Sequence, residues 1–568
     1  MLTGTKVSDG VAIAKAYVVK HEKIRFDKYS KLDEIQERQR LLDAIDKFEK
    51  NMLDLISKNK FEESEILEIH IQIAREMIPE IEHELSRRNI TAEYALNKTF
   101  NSYIDVFERL NDETMSQRIF DFMDIKKQLL KLLKNINQKK ISDIENDCII
   151  VKKEFTPSDL FNIDKNKIKG LISQTGNFNS HAAIIARAME IPAIFSVNSA
   201  TKEIASGDEL ILNANENKIF VNPPSEILNQ TQKLLLNIKN EKSLLEEFKD
   251  KITVTCDNQK VCLCANINNL NEIDTALEKG IDAVGLFRSE FLFIERSNLP
   301  SEQEQFEIYK AAAQKLKGKY ITIRTLDIGG DKRISSLNIK REDNSFLGHR
   351  AIRFCLDNEN IFRTQIRAIL RASAFGKIKL MIPMISVFEE LIESKKIISA
   401  VKTELEEEKI SFDKQIQIGI MIETPSAVLI ANDLAKECDF FSLGTNDLIQ
   451  YTMSAARDNP KVSYLYSPFQ PAVIKNIIDT INAARNNNID ISICGEAATH
   501  PLLIPLFLSA QLKTLSMLPS QILPVKKLIS QIDLSKLDNI IANVLKMKSK
   551  SEIKDYLQAL SENILDIK

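Results

Sequence analysis

The spacing of apolar residues predicts short strands and then a helical block in the first part of the chain. An apolar, β-prone run at 10–19 predicts short strands near the start. Over residues 31–137 the apolar positions recur every three or four residues between charged ones, which predicts amphipathic helices. The first of these stripes consists of Leu32, Ile35, Leu42, Ile45, Phe48, Met52 and Leu55. Because glycine is absent between Gly10 and Gly170, we expect this block to be an almost wholly helical bundle of antiparallel hairpins.

Strand-like apolar residues return at 148–154, and turns rich in Gly, Asn and Pro follow them. The simplest interpretation is that a helical domain, 21–141, is inserted into an α/β domain made of 1–20 and 142–225. Residues 226–250 then have the pattern of a long linking helix.

The last part of the chain, 251–568, alternates short apolar runs with helical segments. Eight runs are candidates for buried strands: 261–267, 283–290, 320–330, 379–384, 417–424, 440–447, 491–496 and 512–519. Eight βα units in a segment of this length indicate a TIM (β/α)8 barrel. A doubly wound open sheet is the alternative, but its strand count would be less regular. The predicted fold class is therefore multidomain α/β, with an inserted all-α bundle and a C-terminal barrel.

Composition and charge exclude several classes of protein. The 77 basic and 80 acidic residues nearly cancel to a net charge of −3, so general nucleic-acid binding has no support. No apolar run approaches the ~20 residues that span a bilayer, and the first residues lack the apolar segment of a signal peptide, so no membrane insertion is expected. The seven cysteines include no CxxC pair, which fits a reducing cytoplasm. Cys262 and Cys264 fall on one face of a predicted strand, and the simpler interpretation is that they are core residues.

Polar residues with related chemistry follow the apolar strands of the predicted barrel. In this fold the active site lies at the carboxyl ends of the strands, so these side chains should converge. They are Arg288, Arg324, Asp327, Lys332, Arg350, Glu423, Asn446, Asp447, Arg457 and Cys494. Any one of them alone could be a solvated loop residue, but a set converging on one face favours a binding site.

The chemistry of this set suggests its ligand. Arginines offer forked, permanently charged donors that fit phosphate and carboxylate oxygens. Glu423 and Asp447 would repel a phosphate unless a divalent cation lay between them, and such hard oxygen ligands suit Mg²⁺. The set therefore predicts a small, doubly anionic phospho-carboxylate. Cys494 is the soft proton carrier of the group and a candidate acid for a carbon centre.

His181 follows a Gly/Asn/Ser turn and stands at the start of a strongly apolar, helix-like run. A neutral imidazole can accept a phosphoryl group. A phosphate there would lie beside the free N–H groups of a first helical turn, and Arg187 could add a counter-charge. Taken alone, such a histidine is more often a structural cap. A phosphate-donor site without a nucleotide loop needs an acceptor, however, and His181 is the best-placed nucleophile outside the barrel.

These motifs carry a resemblance that covers essentially the whole chain. The run "SHAAIIAR" followed by "EIPAI" resembles the phosphohistidine signature of the phosphoenolpyruvate-utilising enzymes. The barrel motifs of that superfamily are matched in the same order by "GLFRSE", "RTLDIGGDK", "FLGHRAIR", "SLGTNDLIQYT" and "CGE". With its helical insertion, the chain resembles the Enzyme I family of the bacterial sugar phosphotransferase system, the phosphoenolpyruvate–protein phosphotransferases.

The resemblance implies a reaction and a role for each matching residue. The family transfers the phosphoryl group of phosphoenolpyruvate to its own histidine, here Nε2 of His181, and then to the histidine of the carrier HPr, releasing pyruvate. The residues that would hold phosphoenolpyruvate are Arg288, Arg324, Arg350, Asn446, Asp447 and Arg457. Glu423 and Asp447 would ligate Mg²⁺, and Cys494 would protonate the enolate carbon.

The resemblance also implies an arrangement of domains and copies. It implies a phosphohistidine α/β domain, a helical HPr-binding domain and a barrel that binds phosphoenolpyruvate. It further implies a cytoplasmic homodimer joined through the barrels, and a histidine domain that swings between barrel and carrier.

Several positions depart from the family pattern. Asn177 and Asn179 stand where the histidine loop usually has Gly and Thr, and because asparagine tolerates a left-handed backbone the turn should survive. Met123 replaces a usual Arg, and His349 replaces a usual Trp or Tyr. After "CGE" the chain has "AATH", where a Gly-Asp pair is more common. None of these changes removes a residue with an implied chemical role.

Related enzymes are alternatives to this family, and the role of one residue, His70, stays open. Pyruvate phosphate dikinase and phosphoenolpyruvate synthase share the motifs but need a nucleotide-binding domain before the histidine, for which the chain has neither room nor a Walker motif. The nitrogen-regulatory version of Enzyme I carries a sensor domain that is also absent here. A non-catalytic scaffold would be expected to have lost a key residue, yet all are present. His70 is either part of a carrier-docking surface or a half-buried structural residue.

Overall fold

The computed structural model describes residues 1–19, 24–58, 65–87, 89–110, 113–136, 144, 146–164, 167–176, 180–293, 298–329, 345–457, 459 and 461–564. Three residues singled out from the sequence, Asn177, Asn179 and Lys332, lie outside these ranges. The chain forms two compact units, Met1–Asn240 and Glu241–Lys568. No helix within the described ranges is both long and apolar enough to cross a membrane.

A seven-stranded mixed sheet organises the first unit. Its strands are β1 (Thr5–Ser8), β2 (Val11–Val19), β3 (Cys148–Lys152), β4 (Ile168–Ser173), β5 (Ala193–Phe195), β6 (Glu209–Asn213) and β7 (Lys218–Val221). Their order is β1-β5-β4-β3-β2-β6-β7, with the strands from β5 to β2 parallel and the outer pairs antiparallel. The first two strands of the chain therefore share a sheet with strands that come after the helical block.

The central strand β3 is buried on both faces, and its short apolar sequence reflects that position. Ile150 packs on the face that the helices cover, whereas Ile149 and Val151 pack on the opposite face with Leu210. Three short helices connect the later strands: α6 (Pro157–Phe161), α7 (His181–Ala188) and α8 (Ala200–Glu203). The sheet is thus a layer with a separate apolar core on each side.

Five long helices lie between β2 and β3. They are α1 (Glu34–Lys58), α2 (Glu65–Glu76), α3 (Ile78–Arg87), α4 (Ala92–Leu110) and α5 (Glu113–Leu133). The start of α1 is fixed by a reciprocal pair of hydrogen bonds: the Asp33 carboxylate accepts from Gln36 N–H at 2.8 Å, and Gln36 Oε1 accepts from Asp33 N–H at 3.2 Å. The prediction that this block is helical is confirmed.

The predicted apolar stripe of α1 is wrong at its start. Leu32 and Ile35 are exposed and Leu42 is half-buried, because the helix begins only at Glu34 and turns Leu41 toward the core instead. The buried stripe is Leu41, Ile45, Phe48, Met52 and Leu55. This corrected set keeps the alternating spacing of four and three residues that a helix face requires.

The linking segment is the helix α9 (Ser225–Glu246), which ends before the predicted residue 250. The division between the two units falls within it. Its apolar residues Leu234, Leu236 and Ile238 are exposed, so it does not have the buried stripe of the earlier helices.

The second unit is built on a closed barrel of eight strands. They are β8 (Cys262–Ile267), β9 (Ala283–Arg288), β10 (Ile321–Arg324), β11 (Ile378–Ile382), β12 (Gln417–Ile422), β13 (Phe440–Gly444), β14 (Asp490–Cys494) and β15 (Thr514–Met517). Every neighbouring pair is parallel, and β15 pairs with β8 to close the ring. The prediction of a TIM barrel is confirmed, and the open-sheet alternative is wrong.

Helices follow the strands of the barrel and pack on its outside. They are α10 (Leu270–Glu278), α11 (Glu302–Lys315), α12 (Ile352–Asp357), α13 (Glu359–Ser373), α14 (Phe388–Glu407), α15 (Pro425–Leu429), α16 (Ala431–Leu434), α17 (Thr445–Met453), α18 (Pro471–Asn486), α19 (Ile504–Ser509), α20 (Ile522–Gln531), α21 (Ile540–Val544) and α22 (Lys550–Ile564). Alternate strand residues such as Leu263 and Leu380 join these helices in one large core. A smaller cluster that includes Met381, Met421 and Cys494 lies on the other face of the strands, inside the ring.

Several strands end earlier than predicted. β9 stops at Arg288, β10 at Arg324 and β13 at Gly444, where a 3-10 turn, an irregular loop and helix α17 begin. In each case the polar residues at the end of the predicted strand belong to the connection that follows. The carboxyl end of the barrel is therefore lined by loop and first-turn residues.

Candidate active site at the carboxyl end of the barrel

Arg324, the last residue of β10, is buried between two carboxylates. Glu290 accepts a hydrogen bond from its Nη2, and Asp327 Oδ2 lies 3.0 Å from its Nη1. Burial alone would lower the pKa of Arg324, but the charges of Glu290 and Asp327 outweigh it and hold this pKa above its usual value. Its Nε is buried with no hydrogen-bond partner among the described residues, so the guanidinium is fixed yet keeps a donor for a ligand.

Asp327 also binds the second buried arginine, Arg350. Its Oδ1 accepts from Arg350 Nε at 2.9 Å and its Oδ2 from Nη2 at 3.1 Å. Asp447 contacts the same guanidinium, with 3.0 Å between Oδ2 and Nη2, and Nη1 donates to the Tyr451 hydroxyl at 3.2 Å. Burial lowers the pKa of Arg350, but Asp327 and Asp447 more than reverse this and raise it. Asp327 is therefore the bridge that sets the two arginines beside each other.

Glu423 directly follows β12 and is 1% exposed. Its Oε1 accepts a hydrogen bond from the Met384 N–H at 2.7 Å, and Met384 has a positive φ of 61° that directs this N–H toward the carboxylate. Burial, with the neighbouring charges of Asp447 and Asp327, raises the pKa of Glu423 to about 8. The cluster thus contains carboxylates whose repulsion the arginines only partly offset.

Asn446 and Asp447 lie in the first turn of α17, which is held by the end of β14 and the turn after it. Asn446 Oδ1 accepts from the Glu496 N–H at 3.1 Å, and the Thr445 hydroxyl donates to the Cys494 carbonyl at 2.8 Å. Between these contacts stands Gly495, with a φ of 92°. A Cβ on it would lie 2.4 Å from Thr445 Oγ1 and 2.9 Å from Asn446 Oδ1. Only glycine lets the two segments approach this closely.

Cys494 ends β14 and is 3% exposed. Its thiol donates to the Leu443 carbonyl at 3.3 Å, and the Ser442 hydroxyl lies 3.7 Å from its sulfur. Burial raises the pKa of Cys494 to about 11; Glu423 adds to this, while Ser442, Arg324 and Arg288 oppose it. The side chain is therefore a neutral thiol near pH 7, a form that can give up a proton but is a poor nucleophile.

Arg288 and Arg457 are the more open arginines of the predicted set. Arg288 ends β9 and is aligned with Arg324 in the pairing of β9 with β10. Arg457 follows α17 in an exposed turn, where its backbone N–H donates to Gln450 Oε1 at 3.1 Å. Within the described part of the chain neither guanidinium has a carboxylate at ion-pair distance. These two cations are therefore available to an anionic ligand.

His181 belongs to the first unit and is the first residue of α7, as the pattern predicts. Ser180 caps this helix, its hydroxyl accepting from the Ala183 N–H at 3.3 Å. Gly176, five residues before His181, has a φ of 104°. Arg187 is in the last turn, where burial lowers its pKa. The structure describes the backbone of His181 but not its side chain.

The sequence comparisons agree with this arrangement of two units. Three family models match the chain: "PEP-utilising enzyme, N-terminal" over residues 3–118, "mobile domain" over 144–217 and "PEP-binding domain" over 242–534. The chain is 35% identical over 568 residues to the phosphoenolpyruvate-protein phosphotransferase of Staphylococcus carnosus, covering 99% of each chain. It is 36% identical over 565 residues to the enzyme of that name from Priestia megaterium and 38% identical over 565 residues to that of Buchnera aphidicola, each covering 98% of both chains.

The chain belongs to the phosphoenolpyruvate-protein phosphotransferase family.

Among solved structures, the chain is similar to one described as an NMR solution structure of Enzyme I (nEIt). The two are 27% identical with a TM-score of 0.37, and the match covers 42% of this chain and all of the other.

The carboxylates of the cluster fit the Mg²⁺ ion that the family implies. No group of three acidic, histidine or cysteine side chains suited to a metal occurs among the described residues. Glu423 and Asp447, however, are close enough to repel each other: after burial, the charge of Asp447 is the largest cause of the raised pKa of Glu423. A cation between them would relieve this repulsion. Two hard oxygen donors of this kind suit an ion that takes its other ligands from water and substrate.

Most residues of this cluster follow directly after barrel strands, where the sequence predicts polar residues to converge, but several of them have no predicted role. Asp327 was in the predicted set without a function, and Glu290 lies two residues after Arg288, where the same prediction would have included it. Tyr451 lies one helical turn after Asp447 on α17; its hydroxyl accepts from Arg350 and donates to the Phe346 carbonyl at 2.6 Å. Its signal in the sequence is the spacing of four residues from Asp447.

The structure describes two residues that depart from the family pattern, His349 and Met123, and also His70. His349 pairs with Asp357 at 2.8 Å and packs its edge against Phe354, so it keeps an aromatic contact. Met123 is partly exposed on α5. His70 is 1% exposed, with its Nε2 3.3 Å from Asp121 Oδ1. This burial favours the structural role for His70.

Proposed function

We propose that this enzyme transfers the phosphoryl group of phosphoenolpyruvate to its own His181 and then to the histidine of the carrier HPr, releasing pyruvate, as the general phosphotransferase of a sugar phosphotransferase system. The main support is the convergence of buried arginines and carboxylates at one end of the barrel in a chain of this family. The forked guanidinium groups of the arginines suit the oxygens of a phosphate and a carboxylate, and the pair of carboxylates suits a cation bound with such a ligand.

Phosphoenolpyruvate would bind through six residues of the barrel: Arg288, Arg324, Arg350, Asn446, Asp447 and Arg457. Among the described residues, the Nε of Arg324 has no hydrogen-bond partner and Arg288 has no carboxylate at ion-pair distance, so both can offer donors to the anionic groups of the substrate. Because Asp327 and Glu290 already fix Arg324, little ordering of that side chain would remain to be done on binding. Arg350 is held in the same way and acts as a further contact.

In the first chemical step the Nε2 lone pair of His181 attacks phosphorus, and the bond from phosphorus to the enol oxygen breaks. The electron pair of that bond stays on oxygen as the enolate of pyruvate. Mg²⁺ held by Glu423 and Asp447 would neutralise phosphate charge at this stage. The positive end of the α7 helix dipole, at its first turn, would favour the phosphohistidine.

In the second step Cys494 gives its proton to the methylene carbon of the enolate, which becomes the methyl group of pyruvate. The raised pKa of Cys494, about 11, keeps the proton on sulfur until the more basic enolate forms. The resulting thiolate takes a new proton from solvent after pyruvate leaves.

The transfer to HPr would use other parts of the chain. We assign residues 1–20 and 142–225 to a phosphohistidine domain, 21–141 to an HPr-binding domain, 226–250 to a linker and 251–568 to the domain that binds phosphoenolpyruvate. In this proposal two copies join through their barrels in the cytoplasm, and the phosphohistidine domain moves between barrel and carrier.

Labelled phosphoenolpyruvate tests the donor and the acceptor together. After incubation with Mg²⁺ we expect acid-labile label on the tryptic peptide 170–187, whose only histidine is His181. The His181→Ala variant should take up no label, whereas His83→Ala, which changes an exposed histidine of the same unit, should label normally. Added HPr should then remove the label. Label that persists in His181→Ala, or that HPr does not remove, would refute the proposal.

A further inference from the structure

Two cysteines face each other at the amino-terminal end of the barrel, away from the site described above. Cys262 is the first residue of β8 and Cys264 the third. Leu263 and Ala265 pack in the core beneath the outer helices, so the two cysteines lie on the opposite face of the strand, toward the inside of the ring. Their sulfur atoms are 3.6 Å apart. The same-face prediction is confirmed, and the sulfurs are in contact.

The two thiols differ in their exposure to solvent. Cys264 is completely buried, with its sulfur 3.3 Å from the Tyr320 hydroxyl. Cys262 is partly exposed at the mouth of the barrel. One thiol is therefore open to a small reagent and the other is held behind it.

A cation is fixed beside the open thiol. Lys379 Nζ lies 4.6 Å from the centre of the Tyr320 ring, 5.2 Å from that of Phe440 and 3.6 Å from Asp490 Oδ2. The hydrogen bond from Cys264 lowers the pKa of Cys262; burial and Asp282 oppose this, whereas Tyr320 and Lys379 reinforce it. The hydrogen bond with Cys262, together with burial, raises the pKa of Cys264. The first thiolate to form is thus on the accessible sulfur, with a thiol in contact behind it.

We propose that Cys262 and Cys264 form a peroxide-sensitive dithiol that closes reversibly into a disulfide within β8. The Cys262 thiolate attacks one oxygen of hydrogen peroxide, the O–O bond breaks, and the departing hydroxide takes up a proton to become water. Cys262 is then a sulfenic acid. The Cys264 sulfur attacks it, the S–O bond breaks, and a second water leaves with the Cys264 proton. Two thiols are oxidised to one disulfide, and one peroxide is reduced to two waters.

The strand geometry allows this bond only with a local bend in β8, and that strain makes the bond easy to reverse. Residues two apart in an extended strand have Cα atoms about 6.6 Å apart. Disulfides usually join Cα atoms about 4.4–6.8 Å apart and Cβ atoms about 3.5–4.5 Å apart. The Cα spacing of β8 lies at the upper limit of that range, so the strand must bend locally to bring the two Cβ atoms close enough. A bond formed there should be strained and readily reduced by thiols, which is the behaviour of labile rather than structural disulfides.

The tryptic map of the chain allows a direct test. Peptide 261–279 contains Cys262 and Cys264 and no other cysteine, and the preceding peptide 252–260 contains only Cys256. The full-length protein is treated with hydrogen peroxide, and its remaining thiols are alkylated with N-ethylmaleimide. It is then digested with trypsin, and the peptide masses are measured by mass spectrometry. We expect peptide 261–279 to lose two hydrogens, about 2 Da, and to carry no maleimide. Dithiothreitol should restore both thiols, while the exposed Cys256 should stay alkylated as an internal control.

Single variants identify the order of the two thiols. In Cys264→Ser, a sulfenic-acid probe such as dimedone should label Cys262; in Cys262→Ser, Cys264 should remain a thiol. The proposal fails if both cysteines of the unmodified chain stay alkylated after peroxide. It fails equally if Cys256 is oxidised first, or if peptide 261–279 gains oxygen irreversibly. The peptide measurement uses the unaltered protein, and none of these readouts depends on phosphoryl transfer.

Discussion

The substitution Asp327→Asn tests the claim that one carboxylate organises the two buried arginines. It keeps the size and shape of the side chain and removes its charge. Asp327 pairs with Arg324 Nη1 at 3.0 Å and accepts hydrogen bonds from Arg350 at 2.9 and 3.1 Å. Since an amide has only one acceptor oxygen, at least one of these donors must then face an NH₂ group.

The expected loss of stability follows from these contacts. Removing one partner of a buried ion pair costs about 3–5 kcal/mol. Arg324 keeps Glu290 and Arg350 keeps Asp447, so neither cation is left unpaired. We therefore expect the lower end of the range, about 3 kcal/mol, or roughly a hundredfold change in the unfolding equilibrium of the barrel. Asp433→Asn is the matched control, because Asp433 pairs with Lys436 on the exposed surface and should change little.

Two measurements on the full-length protein decide the outcome. The chain has no tryptophan, so unfolding in urea is followed by far-UV circular dichroism, with hydrogen exchange in barrel peptides to assign the transition. The KM for phosphoenolpyruvate should also rise, because Arg324 and Arg350 lose their common support. If Asp327→Asn matched Asp433→Asn in both stability and KM, the bridge would have no organising role.

Four further outcomes follow from the site. Cys494→Ala should still form phosphoenzyme but release enolpyruvate that solvent protonates without stereospecificity, which chiral product analysis with labelled phosphoenolpyruvate would detect. Because the pKa of Cys494 is raised to about 11, its proton is lost only as the pH rises through that value; stereospecific protonation should therefore persist from pH 7 to about pH 10, and an earlier loss would contradict the assignment. Chelation of Mg²⁺ should stop labelling from phosphoenolpyruvate, since Glu423 and Asp447 are then uncompensated, but leave transfer from preformed phosphoenzyme to HPr intact. Gly495→Ala should raise the KM for phosphoenolpyruvate several-fold, because its Cβ would lie 2.4 Å from Thr445 Oγ1; an unchanged KM would show that the loop adapts.

The fold was predictable wherever burial alone determines the pattern. Eight apolar runs predict the barrel strands because both faces of each strand are covered, and the polar residues after them mark the carboxyl end. The start of α1 was misjudged because a helix begins where a cap supplies hydrogen bonds, here at Asp33, and not where the first leucine occurs. Leu32 therefore stays exposed although it fits the helical spacing.

The partners inside the site were not predictable in the same way. Asp327 lies three residues from Arg324 but twenty-three from Arg350. Asp447 is ninety-seven residues from the arginine it contacts. Such contacts arise only when the closed ring brings β10, the loop after it and α17 together. A sequence shows which residues reach the carboxyl end, whereas their pairing depends on the closure of the barrel.

The pairing of arginines with carboxylates at this end of the barrel determines how an anionic ligand can bind. Among the described residues, four arginines, Arg288, Arg324, Arg350 and Arg457, share this end of the barrel with five carboxylates, Glu290, Asp327, Glu423, Asp447 and Glu496. Formal charges therefore nearly cancel before any ligand arrives, so the arginines alone cannot neutralise a phospho-carboxylate. Its charge is best met if a divalent cation enters with it, and the same cation relieves the repulsion that raises the pKa of Glu423. Because binding linkage is reciprocal, metal and phosphoenolpyruvate must then raise each other's affinity by the same factor.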